Sequence, residues 1–483
     1  MKKPLVVLLT TLLLALFGCT IPPQEEIFVK NYTVVPYVTT GTKTKLLLEE
    51  EAFLLGPVDE ENPLGYSVST ISIDSRVLFQ EMDGFGAAMT ESSAYVISGL
   101  SPEVQEEVMN DLFSRDGIAM SFVRIPMGAS DFSLDNFSYN DLPFGQTDVN
   151  MDNFSLARDE QYIIPVLQVA KTLNPHLLLM GSPWSAPAWM KTSDNLNGGS
   201  LKPEYYQAYS KYFTKFIQGY TEAGLPIYAI TMQNEPLHET TSYPSMKMTA
   251  TEQINFVKEL GLMFQNNQID TKIIAYDHNW DNTAYAMTVI GNPLVKGYVA
   301  GSAFHCYAGD NSAQATVQKF YPNKGLWFTE CSGGRWGTDF SNNLSWNMEN
   351  VFLGSINNYS KGVMLWNIAL NEQDGPKNGG CQNCRGVITV KDDGTYQKNE
   401  EYYVIGHFSK FLYPGAFRIE TKVNGNESNI SASSFLNENG EIVVVLHNKS
   451  SGVLSITLNV MGSKNIYRIP SKSIVTLVVS ERE

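Results

Sequence analysis

Two glutamates follow two short apolar segments of the chain. Glu235 lies in residues 227–236, IYAITMQNEP, and Glu330 lies in residues 325–331, GLWFTEC. Each apolar run is too short for a helix and predicts a buried strand. A carboxylate at the carboxyl end of a parallel strand lies where barrel enzymes have their catalytic groups. Three strand–helix units apart, the two glutamates can face each other across a barrel mouth, which is the arrangement that cleavage of a glycosidic bond requires.

Other predicted strand ends also carry hydrogen-bonding or aromatic residues. A single residue of this kind would mean little, but a ring of them is typical of a sugar pocket, with stacking walls and groups that bind hydroxyls. In chain order these residues are Arg124 and Asp131 after the second strand, Trp184 after the third, Asn234 after the fourth, Tyr276 and His278 after the fifth, His305 and Tyr307 after the sixth, and Trp366 with Asn367 after the eighth.

The sequence leaves the stereochemistry of such a carboxylate pair open. Carboxylates about 5–5.5 Å apart make a retaining site, and a wider gap makes an inverting one. In both cases one carboxyl group must be protonated at the working pH and the other ionised. Asn234, directly before Glu235, is a candidate for binding the sugar 2-hydroxyl group. Tyr307 and Arg124 are candidates for holding Glu330 ionised.

Each of these residues also has an ordinary structural interpretation. A lone glutamate at a strand end is usually a solvated loop residue. Trp184, in a proline-rich turn, can be a packing plug, and His305 can be a structural histidine. Asp131 can cap the loop 130–135. The joint occurrence of these residues at successive strand ends favours the functional interpretation.

The elements that must position these residues alternate regularly. Short apolar segments and helical segments alternate over residues 76–400, which predicts an α/β fold of the (β/α)8 barrel type. The pair Ser101 and Pro102 marks the beginning of one helix. The predicted strands lie within 83–89, 122–127, 176–180, 227–236, 272–276, 300–307, 325–330 and 363–366, and further helices lie near 158–173, 203–222, 251–266 and 342–358.

The two ends of the chain show the two-residue periodicity of strands. Residues 22–74 alternate polar with apolar or β-branched residues, and the same alternation returns after about Tyr402. Because the N-terminal strands lack partners of their own, we expect both ends to pair into one antiparallel β-sandwich beside the barrel. The predicted division assigns residues 20–75 and 401–483 to the sandwich and residues 76–400 to the barrel.

The first residues of the chain predict export. Lys2 and Lys3 precede an apolar run, residues 5–17, which is too short to span a bilayer. The run leads into LFGC, which is similar to a bacterial lipobox with cleavage before Cys19 and lipid on its thiol. The alternative is an ordinary signal peptide in which Cys19 is incidental. Both interpretations make residues 1–19 a signal peptide, and the first predicts a lipid anchor in the outer membrane, at the cell surface or the periplasmic face.

Composition and charge favour one class of partner over another. The chain has 50 acidic and 34 basic residues and a net charge of −16, which argues against nucleic acid as a partner because that needs basic patches. Only 17% of the residues are charged, whereas there are 24 Tyr, 24 Phe and 7 Trp. This balance suits a neutral carbohydrate, whose C–H faces stack on aromatic rings.

Four cysteines follow the N-terminal segment. Cys381 and Cys384 form a C-x-x-C motif, for which a local disulfide is the first interpretation in an exported protein. A zinc site is disfavoured because there is no second such pair, and a redox motif because Gly and Asn surround the cysteines. The other two cysteines are Cys306 and Cys331. Cys331 follows Glu330 directly, so the alternation of a strand predicts that its side chain points away from the pocket.

Longer motifs, in this order, resemble glycoside hydrolase family 30, the family of lysosomal glucosylceramidase. They run from about Phe79 to the C-terminus and are FGAAMTESSA, FVRIPMGASDFS, SPWSAPAWMKT, ITMQNEP, HCYAG, WFTECSGG, LWNIALNEQDGP and HFSKFLYPGAFRI. The resemblance implies a (β/α)8 barrel with a β-sandwich. It also implies retaining hydrolysis of β-glycosides without a metal or another cofactor.

The same resemblance implies residue roles. It makes Glu235 the acid/base and Glu330 the nucleophile. The segment 377–385, KNGGCQNCR, departs from the pattern of the lysosomal enzyme and is similar to bacterial members. The contacts that the resemblance implies at subsite −1 are Asp131, Trp184, Asn234, Tyr307 and Trp366, with Arg124 and His305 as supports.

Several substrates fit this family-level interpretation: β-1,6-glucan, glucosylceramide, β-xylosides and glucuronoxylan. We expect β-1,6-glucan, because an exported bacterial lipoprotein meets polysaccharide more readily than sphingolipid. Glucuronoxylan would need a cationic subsite, for which Arg335 and Lys191 are the candidates. The rival interpretation is a non-catalytic, glycan-binding surface lipoprotein, which would usually lack one of the two carboxylates.

Overall fold

A ring of eight parallel strands forms the barrel. The computed structural model describes residues 30–57 and 64–482. Strands pair in chain order and the first pairs with the eighth, while the first and second are joined by the single bridge Ala88–Arg124. The predicted barrel is therefore confirmed and is nearly closed. Its strands are Gly84–Ala87, Phe122–Pro126, Leu178–Ser182, Ile227–Thr231, Lys272–Asn279, Val299–His305, Gly325–Glu330 and Ser360–Leu365.

Helices connect these strands and cover the barrel. The side chain of Ser101 caps the helix that begins at Pro102, as the Ser-Pro pair predicts. Thr249 and Glu252 cap another helix reciprocally. The α-helices are Glu91–Ser98, Pro102–Phe113, Ile163–Leu173, Tyr206–Glu222, Ala250–Asn266, Thr283–Ile290, Ser312–Phe320, Phe340–Trp346, Leu353–Asn357 and Glu400–Ser409, with short 3-10 helices at Asp159–Gln161, Ala188–Met190 and Pro203–Tyr205.

Some predicted elements end at different residues in the structure. The third barrel strand begins at Leu178, two residues later than predicted, and the fifth continues to Asn279. The fifth is longer because the sixth strand pairs with it as far as Asn279. The predicted helix 342–358 consists of two α-helices separated by the π-helix Asn347–Phe352. These ends depend on pairing partners that local periodicity does not reveal.

Both chain ends pair into one ten-stranded sheet, as predicted. Tyr32–Thr40 pairs along its length with the last strand, Ser473–Glu481. Ser69–Glu81 pairs with Phe417–Asn424 on one side and, in parallel, with Leu454–Val460 on the other. This one pair is parallel, whereas the other pairs of the sheet are antiparallel, as predicted. The remaining strands are Leu48–Glu49, Phe53–Leu55, Ile430–Leu436, Ile442–Asn448 and Ser463–Ile469.

The ten-stranded sheet packs around an apolar core of its own. Val34, Val444 and Leu458, from distant parts of the sheet, belong to one buried cluster, as a sandwich requires.

Two elements lie at the predicted domain boundaries. Ser69–Glu81 crosses the boundary predicted at 75/76. The helix Glu400–Ser409 begins at the boundary predicted at 400/401 and packs on the first barrel strand. The predicted division at these residues stays a prediction.

Short strands shape the barrel mouth. Gly333–Gly334 pairs with Cys384–Arg385. Ala369–Asn371, Ile388–Val390 and Tyr396–Lys398 form a further small sheet. These strands come from the loops after the seventh and eighth barrel strands, so they build one wall of the mouth.

Cys19 and the predicted signal peptide lie outside the described residues. Within residues 30–57 and 64–482, no helix is long and apolar enough to cross a membrane. The predicted lipid anchor therefore stays a prediction.

Candidate active site

A cleft of about 860 Å³ opens at the carboxyl ends of the barrel strands. Both glutamates line it, and its walls combine carboxylate, amide and aromatic side chains. The predicted site residues that line the cleft are Asp131, Trp184, Asn234, Glu235, Tyr307, Glu330 and Trp366. Arg124 and His305, which the resemblance implies as supports, are fully buried and bond to the lining residues.

Arg124 lies where the barrel closes, on the second strand. Its guanidinium group donates to Glu330 Oε2 at 2.5 Å and to Asn234 Oδ1 at 2.7 Å. It also donates to Asp277 Oδ2 at 2.8 Å. A buried cation needs such partners, because without them its desolvation is strongly unfavourable. Tyr307 donates to the other oxygen of Glu330 at 2.9 Å, so both Arg124 and Tyr307 contact Glu330; that they hold it ionised stays a prediction.

Asp277 is the centre of this network, and the sequence interpretation missed it. The carboxylate is fully buried and accepts hydrogen bonds from Arg124 and from His305 Nε2 at 3.0 Å. Hydroxyl groups of Thr231, Thr329 and Ser182 donate to it at 2.6, 2.6 and 2.8 Å. These bonds and the nearby cations overcome the effect of burial and hold the pKa of Asp277 far below its usual value.

The backbone explains why strand periodicity did not reveal Asp277. Tyr276 and Asp277 have φ angles of 71° and 67°, in the left-handed region that interrupts the alternation of a strand. The register between the fifth and sixth strands shifts at the same place. The signal that was present is the acidic residue directly between Tyr276 and His278, two residues that the sequence already marked as candidates.

His305 links Asp277 to Glu235. Its Nδ1 donates to Glu235 Oε1 at 3.1 Å, while its Nε2 faces Asp277. Burial disfavours the imidazolium, but the charge of Glu330 and the bonds to Asp277 and Glu235 outweigh it and raise the pKa of His305 to about 9. His305 is therefore an imidazolium at neutral pH, with both ring nitrogens donating to carboxylates.

The two glutamates form a close, coupled pair. One oxygen of each carboxylate and one ring nitrogen of His305 lie within 4.8 Å of one another. Burial opposes the charge of Glu235, but the hydrogen bond and charge of His305 prevail and lower its pKa. For Glu330, burial and the neighbouring charge of Glu235 outweigh His305 and Arg124 and raise its pKa. The cleft therefore favours the charged form of Glu235.

Glu235 is held in a strained conformation. Its φ angle is 45°, which is rare for a residue with a side chain. Its backbone N–H donates to the carbonyl oxygen of Asp277 at 2.9 Å, and the preceding Asn234 N–H donates to Pro183 at 2.8 Å. Strain of this kind is maintained where the surrounding structure fixes it, often at functional sites. The turn places Glu235 in the cleft after its strand has ended at Thr231.

The aromatic wall is built from Trp184 and Trp366. Their rings stack at 4.9 Å with an interplanar angle of 24°. The Arg124 guanidinium lies 4.8 Å from the Trp184 ring. Both indoles are almost fully buried, yet both line the cleft. Trp184 thus packs against the interior, as the structural interpretation holds, and also forms part of the wall.

Asp131 lies under the segment 377–385. Its carboxylate accepts the backbone N–H of Cys381, and a Cβ on Gly380 would lie 2.4 Å from Asp131 Oδ2. Burial and the charges of Glu330 and Glu235 raise the pKa of Asp131 well above its usual value. Only glycine fits at position 380, so this segment is shaped around the carboxyl group.

All four cysteines of the described chain line the cleft. Cys381 and Cys384 are joined by a disulfide, as predicted. Cys306 and Cys331 form a second disulfide, which was not predicted. Cys331 adjoins the cleft, but it is buried in the same apolar cluster as Phe328, so the prediction that its side chain points away from the pocket stays a prediction.

Of the further residues at the cleft, the sequence named His278 as a strand-end residue but missed His238, Trp336 and Trp346, which lie outside the barrel strands. His278 lies with its Nε2 4.0 Å from Glu235 Oε1, and burial lowers its pKa to about 4. His238 bonds to the hydroxyl group of Tyr243 at 2.8 Å. Trp336 and Trp346 also line the cleft and are about half exposed. Their aromatic type was the available signal, but tryptophan also occurs in cores.

Within the part of the chain that the structure describes, Glu235, His305 and Glu330 have the spacing of a metal-ligand group. The chemistry of His305 argues against that use. Its two ring nitrogens already donate to Glu235 and Asp277, and an imidazolium has no free lone pair for a metal ion.

Comparison with known proteins agrees with this geometry. Residues 82–412 match the TIM-barrel domain of glycosyl hydrolase family 30, and residues 415–477 match the β-sandwich domain of that family. An endo-1,6-β-D-glucanase of Aspergillus fumigatus is 33% identical, with 83% of this chain and 85% of the relative covered. A putative glucosylceramidase of Caenorhabditis elegans is 31% identical, with 85% and 83% covered.

Solved structures show the same architecture. The endo-β1,6-glucanase BT3312 superposes with a TM-score of 0.84 at 34% identity, covering 92% of this chain and 99% of that one. SrfJ of Salmonella typhimurium also gives 0.84, at 26% identity over 94% of this chain and 100% of that one. With a family match over most of its length and a paired-carboxylate cleft at the expected strand ends, the chain belongs to glycoside hydrolase family 30.

Proposed function

We propose that the protein hydrolyses β-1,6-linked glucan and retains the anomeric configuration. The observation that carries this proposal is the separation of the carboxylates, with oxygens of Glu235 and Glu330 within 4.8 Å of each other. An inverting enzyme needs a wider gap, about 6.5–9.5 Å, to hold a water molecule between one carboxylate and the sugar. The geometry therefore supports the retaining alternative of the two that the sequence left open.

In the first step, Glu330 attacks the anomeric carbon while Glu235 gives its proton to the departing glycosidic oxygen. The bond to the leaving sugar breaks as the ester bond to Glu330 forms. In the second step, Glu235 takes a proton from water, the water oxygen attacks the anomeric carbon, and Glu330 leaves as a carboxylate. Two inversions at one carbon give overall retention.

The contacts of the two glutamates support this assignment. Glu330 accepts from Arg124 on one oxygen and from Tyr307 on the other, so both oxygens are oriented and their charge is stabilised. Glu235 accepts a hydrogen bond from His305 Nδ1 and lies on the cleft wall. A nucleophile needs fixed orientation, and an acid/base needs a partner that tolerates both of its protonation states.

The proton affinities of Glu235 and Glu330 must change during the reaction. The surroundings of Glu235 in the structure favour its charged form, but the first step requires the protonated form. Positive charge that develops at the anomeric carbon favours an ionised Glu330, and negative charge on the departing oxygen favours a proton on Glu235. Once Glu330 is esterified, its negative charge is lost. The pKa of Glu235 then falls, and its carboxylate can act as the base.

The remaining residues fit the contacts of the cleaved sugar. Trp184 and Trp366 offer a stacked aromatic wall. Asn234, whose Oδ1 accepts from Arg124, is oriented beside Glu235 and keeps its amide donors for a sugar 2-hydroxyl group. Asp131, with its raised pKa, can bind hydroxyl groups as donor or acceptor.

The β-1,6 linkage rests on the relatives. Fungal endo-1,6-β-D-glucanases and a solved endo-β1,6-glucanase are 32–34% identical over most of this chain. Glucosylceramide is the second candidate substrate, because putative glucosylceramidases of Caenorhabditis elegans match at 28–31% identity. The open cleft, with half-exposed Trp336 and Trp346 in its lining, suits a polysaccharide chain.

Product analysis tests the proposal. The enzyme is incubated with β-1,6-glucan and, in parallel, with glucosylceramide and an aryl β-glucoside, and the first product is followed by ¹H NMR. We expect the β-anomer before mutarotation and a ladder of β-1,6-oligosaccharides. Appearance of the α-anomer would refute retention, and cleavage of glucosylceramide alone would refute the linkage. Binding of glucan without cleavage of any substrate would favour the glycan-binding interpretation.

We further propose that the protein is exported and lipid-anchored in the outer membrane through Cys19. The support is the sequence of the N-terminal segment, a basic start, a short apolar run and LFGC. Expression of the full chain and of Cys19→Ser, followed by detergent partitioning and mass spectrometry of the N-terminal peptide, tests this. Detection of an unmodified Cys19 peptide in the mature wild-type protein would refute the anchor.

A further inference from the structure

Two cysteines continue the sixth and seventh barrel strands directly after residues of the catalytic network. Cys306 follows His305, and Cys331 follows Glu330. His305 and Glu330 are opposite each other as the last pair of the ladder between these strands. The Cys306–Cys331 disulfide, with 5.4 Å between its Cα atoms, therefore joins the sixth and seventh strands one residue beyond the end of their pairing.

The ladder is irregular where the disulfide follows it. Phe304 is opposite Phe328, but the next residue, His305, is opposite Glu330, so the register shifts by one residue at Thr329. A bulge weakens the constraint that a ladder places on the residues after it. A covalent bond at Cys306 and Cys331 restores a fixed distance between the strands at this point.

The residues on both sides of the cross-link hold the two carboxylates. His305, before Cys306, donates to Glu235, and Tyr307, after it, donates to Glu330. On the other strand, Glu330 precedes Cys331, and the backbone oxygen of Cys331 accepts the N–H of Trp366 at 2.9 Å. Movement of either cysteine would thus change the distance between donors and carboxylates.

We propose that the Cys306–Cys331 disulfide is a positioning cross-link for the catalytic carboxylates. It sets the distance between Glu330 and the segment that carries His305 and Tyr307, and through His305 it sets the position of Glu235. The inference rests on the proposed function, because it concerns the same pair of glutamates. Sites of this kind need their groups within about 0.5 Å of the productive geometry, and a misplacement of 1 Å can lower the rate about a hundredfold.

A disulfide that only stabilises the fold would behave differently. It acts mainly by restricting the unfolded chain, so its removal lowers the unfolding temperature and leaves the folded site unchanged. A positioning cross-link changes the folded site itself. Its removal should alter kcat and the pH profile at temperatures where the variant is fully folded.

The test variant is Cys306→Ser/Cys331→Ser, and its matched control is Cys381→Ser/Cys384→Ser. The control removes a disulfide from the same cleft wall, but neither of its cysteines adjoins Glu235 or Glu330 in the chain. Both are assayed well below their unfolding temperatures, which circular dichroism gives. The measurements are kcat and KM on an aryl β-glucoside across pH, and the rate at which a 2-deoxy-2-fluoro-β-glucosyl fluoride labels Glu330.

We expect the test variant to lose at least tenfold in kcat and in labelling rate, with KM within about threefold of the wild type. The acidic limb of its pH profile should move, because Glu330 no longer has fixed distances from Tyr307 and His305. The control should keep the wild-type acidic limb. If the Ser pair does not fold, Cys306→Ala/Cys331→Ala, which buries no unpaired hydroxyl, is measured instead.

Three results would overturn the inference. The first is a test variant with kcat and pH profile within twofold of the wild type, even if its unfolding temperature is lower. The second is an equal change of the acidic limb in the control. The third is failure of both the Ser and the Ala pair to fold while the control folds, since the cross-link would then serve the fold. An inactive wild type would instead contradict the proposed function.

Discussion

Replacement of Asp277 by Asn is the sharpest perturbation of the buried network. The side chain keeps its shape, but it loses the negative charge that faces both Arg124 and His305. Arg124 keeps Glu330 as an ionic partner, whereas His305 keeps only its contact with Glu235 and the more distant charge of Glu330. The first expected consequence is therefore a lower pKa for His305.

The contacts of His305 in the structure set the size of the expected change in its pKa. The pKa of His305 is raised from 6.5 to about 9, which at about 1.4 kcal/mol per pKa unit corresponds to about 3 kcal/mol in favour of the imidazolium. Asp277 supplies two of the causes that raise it, its charge and its hydrogen bond. Asp277→Asn should therefore lower the proton affinity of His305 at least tenfold, about 1.4 kcal/mol.

The same shift links stability to pH. A histidine whose pKa is raised on folding stabilises the folded protein fully below the unfolded pKa of about 6.5. The contribution of His305 is then lost as the pH rises through about 9. Between these values the wild type should lose more stability than Asp277→Asn, although the variant is less stable throughout, by about 3–5 kcal/mol for loss of a buried ionic partner.

Histidine NMR measures this directly. The chain has 6 histidines, so ¹⁵N-labelled imidazoles can be followed individually from pH 5 to 10. One ring should titrate near pH 9 in the wild type and at a lower pH in Asp277→Asn. Thr329→Val is the matched control, because it removes a hydroxyl group that donates to Asp277 but keeps the charge. In this control, His305 should titrate close to the wild-type pH.

Activity should follow the titration. With a neutral His305, the pKa of Glu235 is no longer lowered by an adjacent cation, so the pH profile of kcat/KM should shift to higher pH in Asp277→Asn. An unchanged His305 titration in this variant, with the fold intact, would refute the reasoning that Asp277 holds the imidazolium. An equal shift in Thr329→Val would show that hydroxyl packing, and not charge, controls it.

Three further predictions concern single residues. Glu330→Gln should lower kcat by several orders of magnitude with the fold intact, because the covalent step is lost; a variant within tenfold of wild type would contradict the assignment. Glu235→Ala should still react with a dinitrophenyl β-glucoside, be accelerated by azide and be nearly inert on glucan, whose leaving alcohol needs a proton; equal slowing on both substrates without azide rescue would exclude it as acid/base. Arg124→Lys should lower kcat about a hundredfold or more, because an ammonium group cannot bridge Glu330, Asn234 and Asp277 at once; steady-state kinetics within fivefold of wild type would show that charge alone suffices.

The sequence by itself determined the barrel, the sandwich and the positions of the paired glutamates. Apolar segments that alternate with helical ones bury a parallel sheet under helices, and this pattern is local in the chain. Glu235 and Glu330 follow two such segments, so their place at the barrel mouth was also a local inference. The longer motifs also indicated membership of glycoside hydrolase family 30, because they occur in the family's order over most of the chain.

The tertiary structure decided what connects these residues. Asp277 became the centre of the network because left-handed backbone at Tyr276 and Asp277 turns a strand residue inward, against the alternation. Cys306 and Cys331 meet because a register shift aligns the strand ends on which they lie. The separation of the two carboxylates depends on the tilt and register of strands across the whole ring, and no stretch of sequence encodes it alone.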